Sequence, residues 1–166
     1  MRVGILTVSD RSASGERTDR SGPALVERIH GEGWNVVRTR VVSDDPAGIE
    51  DALRTWADSG EIDLIFTTGG TGFAPRDRTP EATMAVCDRL TPGLTEAMRR
   101  SGERTTPHAM LSRAAAGIRG SVLIVNLPGS PTGAVESLET ILPALGHAIQ
   151  LLKGDPGAEA GHAAAP

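Results

Sequence analysis

A short apolar run, Leu64-Ile65-Phe66, leads directly into Thr67 to Thr83, which reads TTGGTGFAPRDRTPEAT. No other stretch limits the possible folds as tightly. Gly69, Gly70 and Gly72 come first, then Arg76, Asp77 and Arg78, and Thr79-Pro80 opens a helix-like segment. The order is strand, glycine-rich loop, charged residues, helix start. It suits an anionic ligand, because glycines let backbone N–H groups approach a phosphate and a helix N-terminus favours negative charge. An arginine adds a bidentate clamp, and an aspartate can hold a metal ion. A tight strand-to-helix turn with solvated charges fits the same spacing, since glycine-rich turns are common. The pattern G-G-T-G lacks the G-x-G-x-x-G spacing of a dinucleotide fold and the G-K-[ST] of a P-loop. The lone lysine, Lys153, lies far away near the C-terminus.

The remainder of the chain alternates strand-like and helix-like segments. Val3 to Val8 is an apolar run that reads as a buried strand and ends at Ser9-Asp10-Arg11. A polar loop, Ser12 to Arg20, precedes a helix with Ser21 as its N-cap and Pro23 in its first turn; Gly31 and Gly33 end it. Asn35 to Val42 reads as the second strand. Asp45 caps the next helix and Pro46 starts it. There Ile49, Ala52, Leu53, Trp56 and Ala57 share one face, and Gly60 marks the end. Asp63 to Thr67 is the third strand. The reading continues with a helix from Pro80 to Leu90, a second opened by Thr91-Pro92 with Leu94, Ala97 and Met98 inward, and a helical turn at Pro107 to Leu111. Ala114 to Ile118 and Val122 to Val125 predict an antiparallel hairpin. Helices follow through Leu152, bent or restarted at Pro143. The Gly/Ala/Pro-rich tail, residues 154–166, is expected to be disordered, leaving one domain over 1–153 with no internal repeat.

Strands separated by helices predict a three-layer α/β domain with a mostly parallel sheet. In such sheets ligands bind beyond the carboxyl ends of the strands. Ser9-Asp10, Asp44, the glycine loop with Asp77, and Pro128-Gly129 each follow a predicted strand, so all four belong to one edge.

Composition narrows the partners. Aromatic residues make up only 2% with no tyrosine, which leaves an aliphatic core and no base-stacking platform. The net charge of −4 argues against a nucleic-acid backbone as partner. Cys87, the single cysteine, rules out an intrachain disulfide and a thiolate zinc cluster; its place beside Ala82, Val86 and Leu90 reads as core. No signal peptide and no apolar run near the ~20 residues of a membrane span are visible, so a cytoplasmic protein without membrane contact is expected.

Five segments resemble the MogA/MoaB-like molybdopterin-binding family, which includes bacterial molybdopterin adenylyltransferases and the G domains of proteins such as gephyrin. They are TVSDR (Thr7 to Arg11), DRSGP (Asp19 to Pro23), TTGGTGFAPRDRTPEAT, MLSRAAAGIRGS (Met110 to Ser121) and NLPGSP (Asn126 to Pro131). The resemblance runs in order along nearly the whole chain except the tail. It implies an α/β fold that assembles as a homotrimer. It also implies transfer of AMP from ATP to the terminal phosphate of molybdopterin with Mg²⁺, in molybdenum cofactor biosynthesis, and contact with the molybdate-insertion protein. By position in the matched segments, Asp44 and Asp77 are implied as catalytic residues and Mg²⁺ ligands. Ser43 and Asp45 around Asp44 depart from the family's P-D-E-type segment. Ser9, Asp10, Thr68, Gly69, Gly70, Thr71, Gly72, Arg76, Ser112, Pro128 and Gly129 are implied to line the molybdopterin and nucleotide site. Plainer readings stand beside these: Asp44 as a helix cap, Asp77, Arg76 and Arg78 as surface charges, Asp10 as an Asx-turn, Ser112 and Arg113 as a helix end. The family also implies an alternative, a MoaB-like paralogue that binds molybdopterin without efficient catalysis.

Overall fold

Alternate residues of the apolar runs face opposite sides of one sheet, and each side recruits its own helices. The structure, a computed structural model, describes residues 1–156 and 158. Strands β1 (Arg2–Val8), β2 (Asn35–Val42), β3 (Leu64–Thr68), β4 (Arg89–Leu90), β5 (Ala116–Arg119) and β6 (Val122–Leu127) form one sheet in the order β2-β1-β3-β6-β5-β4. The first four in that order are parallel, and β5 and β4 extend the sheet antiparallel to their neighbours. Thr7 stands opposite Thr68, and Thr68 opposite Leu127, so β1, β3 and β6 end level.

Helices α2 (Ser21–His30), α5 (Pro92–Gly102) and α6 (Pro131–Leu152) cover one face. There Leu25, Ile29, Met98, Leu138, Ile141 and Leu145 pack on Val3, Ile5, Leu64, Phe66, Leu123 and Val125. Helices α3 (Pro46–Ala57) and α4 (Thr79–Val86) cover the other, where Ile49, Leu53, Trp56, Ala82 and Val86 meet Leu6, Val8, Ile65 and Ile124. Burying each large aliphatic side chain contributes about 1.5–3 kcal/mol. The three-layer α/β expectation is met. The chain leaves β1 towards β2 on one side and β3 towards β6 on the other. The order therefore reverses between β1 and β3, where a ligand crevice opens in such sheets.

Several local expectations change. The polar loop after β1 contains a helical turn, α1 (Asp10–Ala13), capped by Ser9, whose Oγ accepts the Ser12 N–H at 3.2 Å. Ser21 does not cap α2: Asp19 does, accepting the N–H groups of Ser21 and Gly22 at 3.0 Å each. The helix predicted to reach Leu90 stops at Val86. Cys87 turns to extended backbone (φ −78, ψ 141), and Arg89-Leu90 pairs with β5 instead. Cys87 is half-buried against the α3/α4 core. The hydroxyl of Thr91, expected to cap α5, makes no capping bond. Helix α6 runs through Pro143 without a restart. The turn at Pro107–Leu111 is 3-10 helix, and the β5–β6 hairpin forms as expected. Leu145 and Ile149 on α6 are core residues of the chain itself. No helix among the described residues is long and apolar enough to cross a membrane. The tail expectation falls mainly on residues 157 and 159–166, outside the described residues; just before them Asp155 N–H reaches the Gln150 carbonyl at 3.1 Å.

Candidate functional site

The ends of β1 and β2 are locked by two aspartates. Asp10 N–H donates to Asp44 Oδ2 at 2.7 Å, and Asp44 N–H donates to Asp10 Oδ1 at 2.9 Å. Arg76, from the glycine-rich loop, grips the Asp10 carboxylate with Nε at 2.9 Å and Nη2 at 2.8 Å. That guanidinium, helped by the Asp44 N–H, holds the Asp10 carboxyl below the usual carboxylate range. Asp44 moves the other way. Burial pushes its carboxyl up, the Asp10 N–H acts against the rise, and the negative charges of Asp10 and Asp77 add to it.

The loop after β3 is shaped by contacts that only glycine permits. Gly69 has φ +104, and a methyl there would sit 2.2 Å from the Val8 carbonyl oxygen. Gly70 has φ +64, and its missing methyl would meet Thr79 Oγ1 at 2.3 Å and Asp44 Oδ1 at 3.1 Å. Thr79, first residue of α4, ties the loop from beneath: its hydroxyl donates to the Gly69 carbonyl at 2.9 Å and its N–H to that of Gly70 at 3.1 Å. Asp77 closes a turn on Ala74, accepting the Ala74 N–H at 2.9 Å. The neighbouring loop joins through Thr68, whose hydroxyl donates to the Pro128 carbonyl at 2.6 Å.

Two clefts flank these loops. The first, about 730 Å³, is lined by Ser9, Asp10, Asp44, Thr68, Gly69, Gly70, Asp77 and Gly129 among the expected residues. The second, about 680 Å³, lies between the loops and helices α5 and α6, and takes Thr71, Gly72, Ser112 and Pro128. Ser130, which caps α6 by accepting the Gly133 N–H at 3.2 Å, lines both. Arg76 lines neither and reaches the first cleft only through Asp10. Among the described residues, Asp44 Oδ1 and Asp77 Oδ1 accept no hydrogen bond, and no group of three His, Cys, Asp or Glu is arranged for a metal ion. A cation here would rest on two carboxylates and on oxygens of its ligand, a set that fits Mg²⁺.

Residues 4–147 match the family described as a probable molybdopterin binding domain. The chain belongs to that family. It is 41% identical to the molybdopterin adenylyltransferase of Helicobacter pylori J99 over 93% of this chain and 89% of the relative. It is 43% identical to gephyrin of Dictyostelium discoideum over 93% of this chain, but only 23% of that longer protein. The crystal structure of the molybdopterin biosynthesis enzyme MoaB from Thermus thermophilus superposes with a TM-score of 0.88. Its identity is 55%, covering 93% of this chain and 98% of that one.

In this molybdopterin-binding family member two residues do more than the sequence reading assigned them. Asp19 borders the first cleft and gathers the Thr7 hydroxyl at 2.7 Å, the Ser21 hydroxyl at 3.2 Å and the start of α2. Its signal was its place two residues before Ser21 and three before Gly22, the spacing of a side-chain cap. Arg113 binds the glycine loop from outside both clefts. Asn126, in the NLPGSP segment, faces the core rather than the clefts. Its Nδ2 donates to the hydroxyls of Thr67 at 2.9 Å and Thr83 at 2.8 Å.

Proposed function

We propose that this protein transfers AMP from ATP to the terminal phosphate of molybdopterin, releasing pyrophosphate, in molybdenum cofactor biosynthesis. The observation that carries the reading is two adjacent clefts divided by phosphate-grade loops, with Asp44 and Asp77 beside the dividing glycines. Relatives named molybdopterin adenylyltransferase, aligned over nine-tenths of the chain, support it. A phosphate oxygen of molybdopterin attacks the α-phosphorus of ATP, the bond to the β-phosphate oxygen breaks, and pyrophosphate carries that electron pair away.

The chain contributes position and field. The amides of the glycine loop and the N-terminus of α6 at Ser130-Pro131 favour phosphate oxygens. Asp44 and Asp77 would hold Mg²⁺, which when bound would neutralise charge on the nucleotide phosphates. Arg76 pairs with the ionised Asp10 carboxylate, and the guanidinium charge offsets the repulsion that this third carboxylate of the edge exerts on the nucleotide. A homotrimer, contact with the molybdate-insertion protein and a cytoplasmic location belong to the same reading. Phe73, Leu90 and Met110 are the most exposed of the large apolar side chains on offer to partners among the described residues.

The direct test mixes protein, ATP, Mg²⁺ and molybdopterin and separates adenylyl-molybdopterin by chromatography. Asp77→Asn keeps shape and removes one charge. Transfer should fall by about two orders of magnitude, the scale of losing one strong electrostatic contact in a transition state. Molybdopterin affinity and melting temperature should change little. Normal transfer by this variant removes Asp77 from the mechanism. A second reading, a paralogue that binds molybdopterin without efficient transfer, draws on the higher identity, 55%, to the MoaB structure. Tight molybdopterin binding by the wild type with no product would decide for it.

A further inference from the structure

Arg113 follows the 3-10 turn at Pro107–Leu111 and leads towards β5, far in sequence from the glycine loop it holds. Its N–H donates to the Thr71 carbonyl at 2.9 Å. Its Nε donates to the Gly72 carbonyl at 2.7 Å, and its Nη2 to the Asp77 carbonyl. One guanidinium therefore pins the backbone on both sides of residues 73–76, the segment carrying Arg76. The segment ends at Asp77, whose own side chain accepts the Ala74 N–H. The remaining nitrogen, Nη1, donates to Glu81 Oε1 in the first turn of α4. The other Glu81 oxygen is buried with no hydrogen-bond partner. Leaving a carboxylate oxygen in that state costs free energy, and its salt bridge to Arg113 is the interaction that offsets it. Neither Arg113 nor Glu81 lines a cleft.

We propose that Arg113, oriented by Glu81, is the positioning residue for Asp77 and the glycine loop: it fixes the backbone from which Asp77 presents its free carboxylate oxygen. The inference rests on the adenylyltransferase reading for its kinetic consequence, and on the geometry alone for its structural one. A guanidinium is required because the acceptors diverge, and its planar fork of donors reaches them together. A lysine ammonium lacks that fixed geometry. The effect on chemistry is indirect. A displacement of about 1 Å at a reacting group costs on the order of 100-fold.

The test uses Arg113→Ala, Arg113→Lys, Glu81→Ala and Glu81→Gln in the intact protein, alone and combined with Asp77→Asn. Amide hydrogen exchange of residues 72–79 should quicken by about tenfold in Arg113→Ala, and comparably in Arg113→Lys, with the central strands unchanged. The kcat for AMP transfer should fall about 10- to 100-fold in a wild-type background. In the Asp77→Asn background the further fall should be under about threefold, because residues acting through one another are non-additive. Glu81→Gln, which keeps an acceptor oxygen, should recover most of what Glu81→Ala loses. Unchanged loop exchange, or full additivity with Asp77→Asn, overturns the proposal. If Arg113→Ala fails to fold, Arg113→Lys and Glu81→Ala carry both measurements. A wild type that transfers no AMP refutes the adenylyltransferase reading instead, and loop exchange then decides the positioning role by itself.

Discussion

Replacing Asn126 by alanine should unsettle the fold far more than its small side chain implies. Asn126 is fully buried and makes three hydrogen bonds, two to the hydroxyls of Thr67 and Thr83 and one from the Ala115 N–H at 3.0 Å. It thereby ties β3, α4 and the lead into β5 to β6. Truncation strands the Ala115 N–H, at a cost of about 1–3 kcal/mol, and removes two bonds worth about 1 kcal/mol each. The hydroxyls can turn to other partners, so the sum is about 3–4 kcal/mol rather than the maximum. For a chain of this size that lowers the melting temperature by roughly 10 °C. Urea unfolding followed by Trp34 and Trp56 fluorescence measures it, and the slope with denaturant should stay at the wild-type value. Asn126→Asp sharpens the test. Burial raises the carboxyl's folded pKa above its unfolded one, so stability is fullest in acid and is lost as pH rises through the folded pKa. A loss under about 1 kcal/mol in Asn126→Ala would refute the reasoning, since it would mean the Ala115 N–H is satisfied without Asn126.

Two further outcomes follow from ionisation states. Asp44 sits above its ordinary pKa through burial and the charges of Asp10 and Asp77, so its contribution to stability is present below the unfolded pKa and lost as pH rises through the folded one. Asp44→Asn should therefore match or exceed the wild-type melting temperature at pH 7 and lose that advantage below roughly pH 4, while AMP transfer collapses; melts across pH check the sign. Cys87 is half-buried with its thiol pushed up to about 11, burial being the main cause and Asp88 the next. Its reaction with an aromatic disulfide reagent at pH 8 should lag the urea-unfolded chain by about a hundredfold, and equal rates would contradict the burial.

How much of this was legible depended on whether the signal was local. The α3 helix was readable because cap, proline and apolar face all lie within Asp45 to Ala57. The carboxylates of the site were readable because each follows the end of a strand, and topology brings those ends together. The end of α4 was not. Ala82, Val86 and Leu90 keep a helical spacing, yet Leu90 is exposed and Arg89-Leu90 obeys a strand that arrives almost thirty residues later. Helix α1 lacks apolar periodicity and depends on the Ser9 cap. The role of Arg113 was equally hidden, because its partners Gly72, Asp77 and Glu81 lie 41, 36 and 32 residues away. Asn126 was legible only as part of the NLPGSP segment; near the end of β6 its side chain points into the core, to partners on β3 and α4 that lie far away in sequence.

Gly129 packs on Gly69 so closely that a methyl at Gly129 would lie 3.1 Å from the Gly69 Cα. The wall of the first cleft is, at that point, bare main chain. It has no side chains for mutation to lengthen, shorten or recharge; a methyl added at Gly69 would collide with the Val8 carbonyl oxygen, and one at Gly129 would crowd the Gly69 Cα. Variation on the outer walls, along α5 on one flank and α1 on the other, can alter what each cleft accepts. It leaves the contact between the loops after β3 and β6 as it is. The glycine pair thus acts as a spacer of fixed length: the walls can drift while the separation of the two loops stays the same.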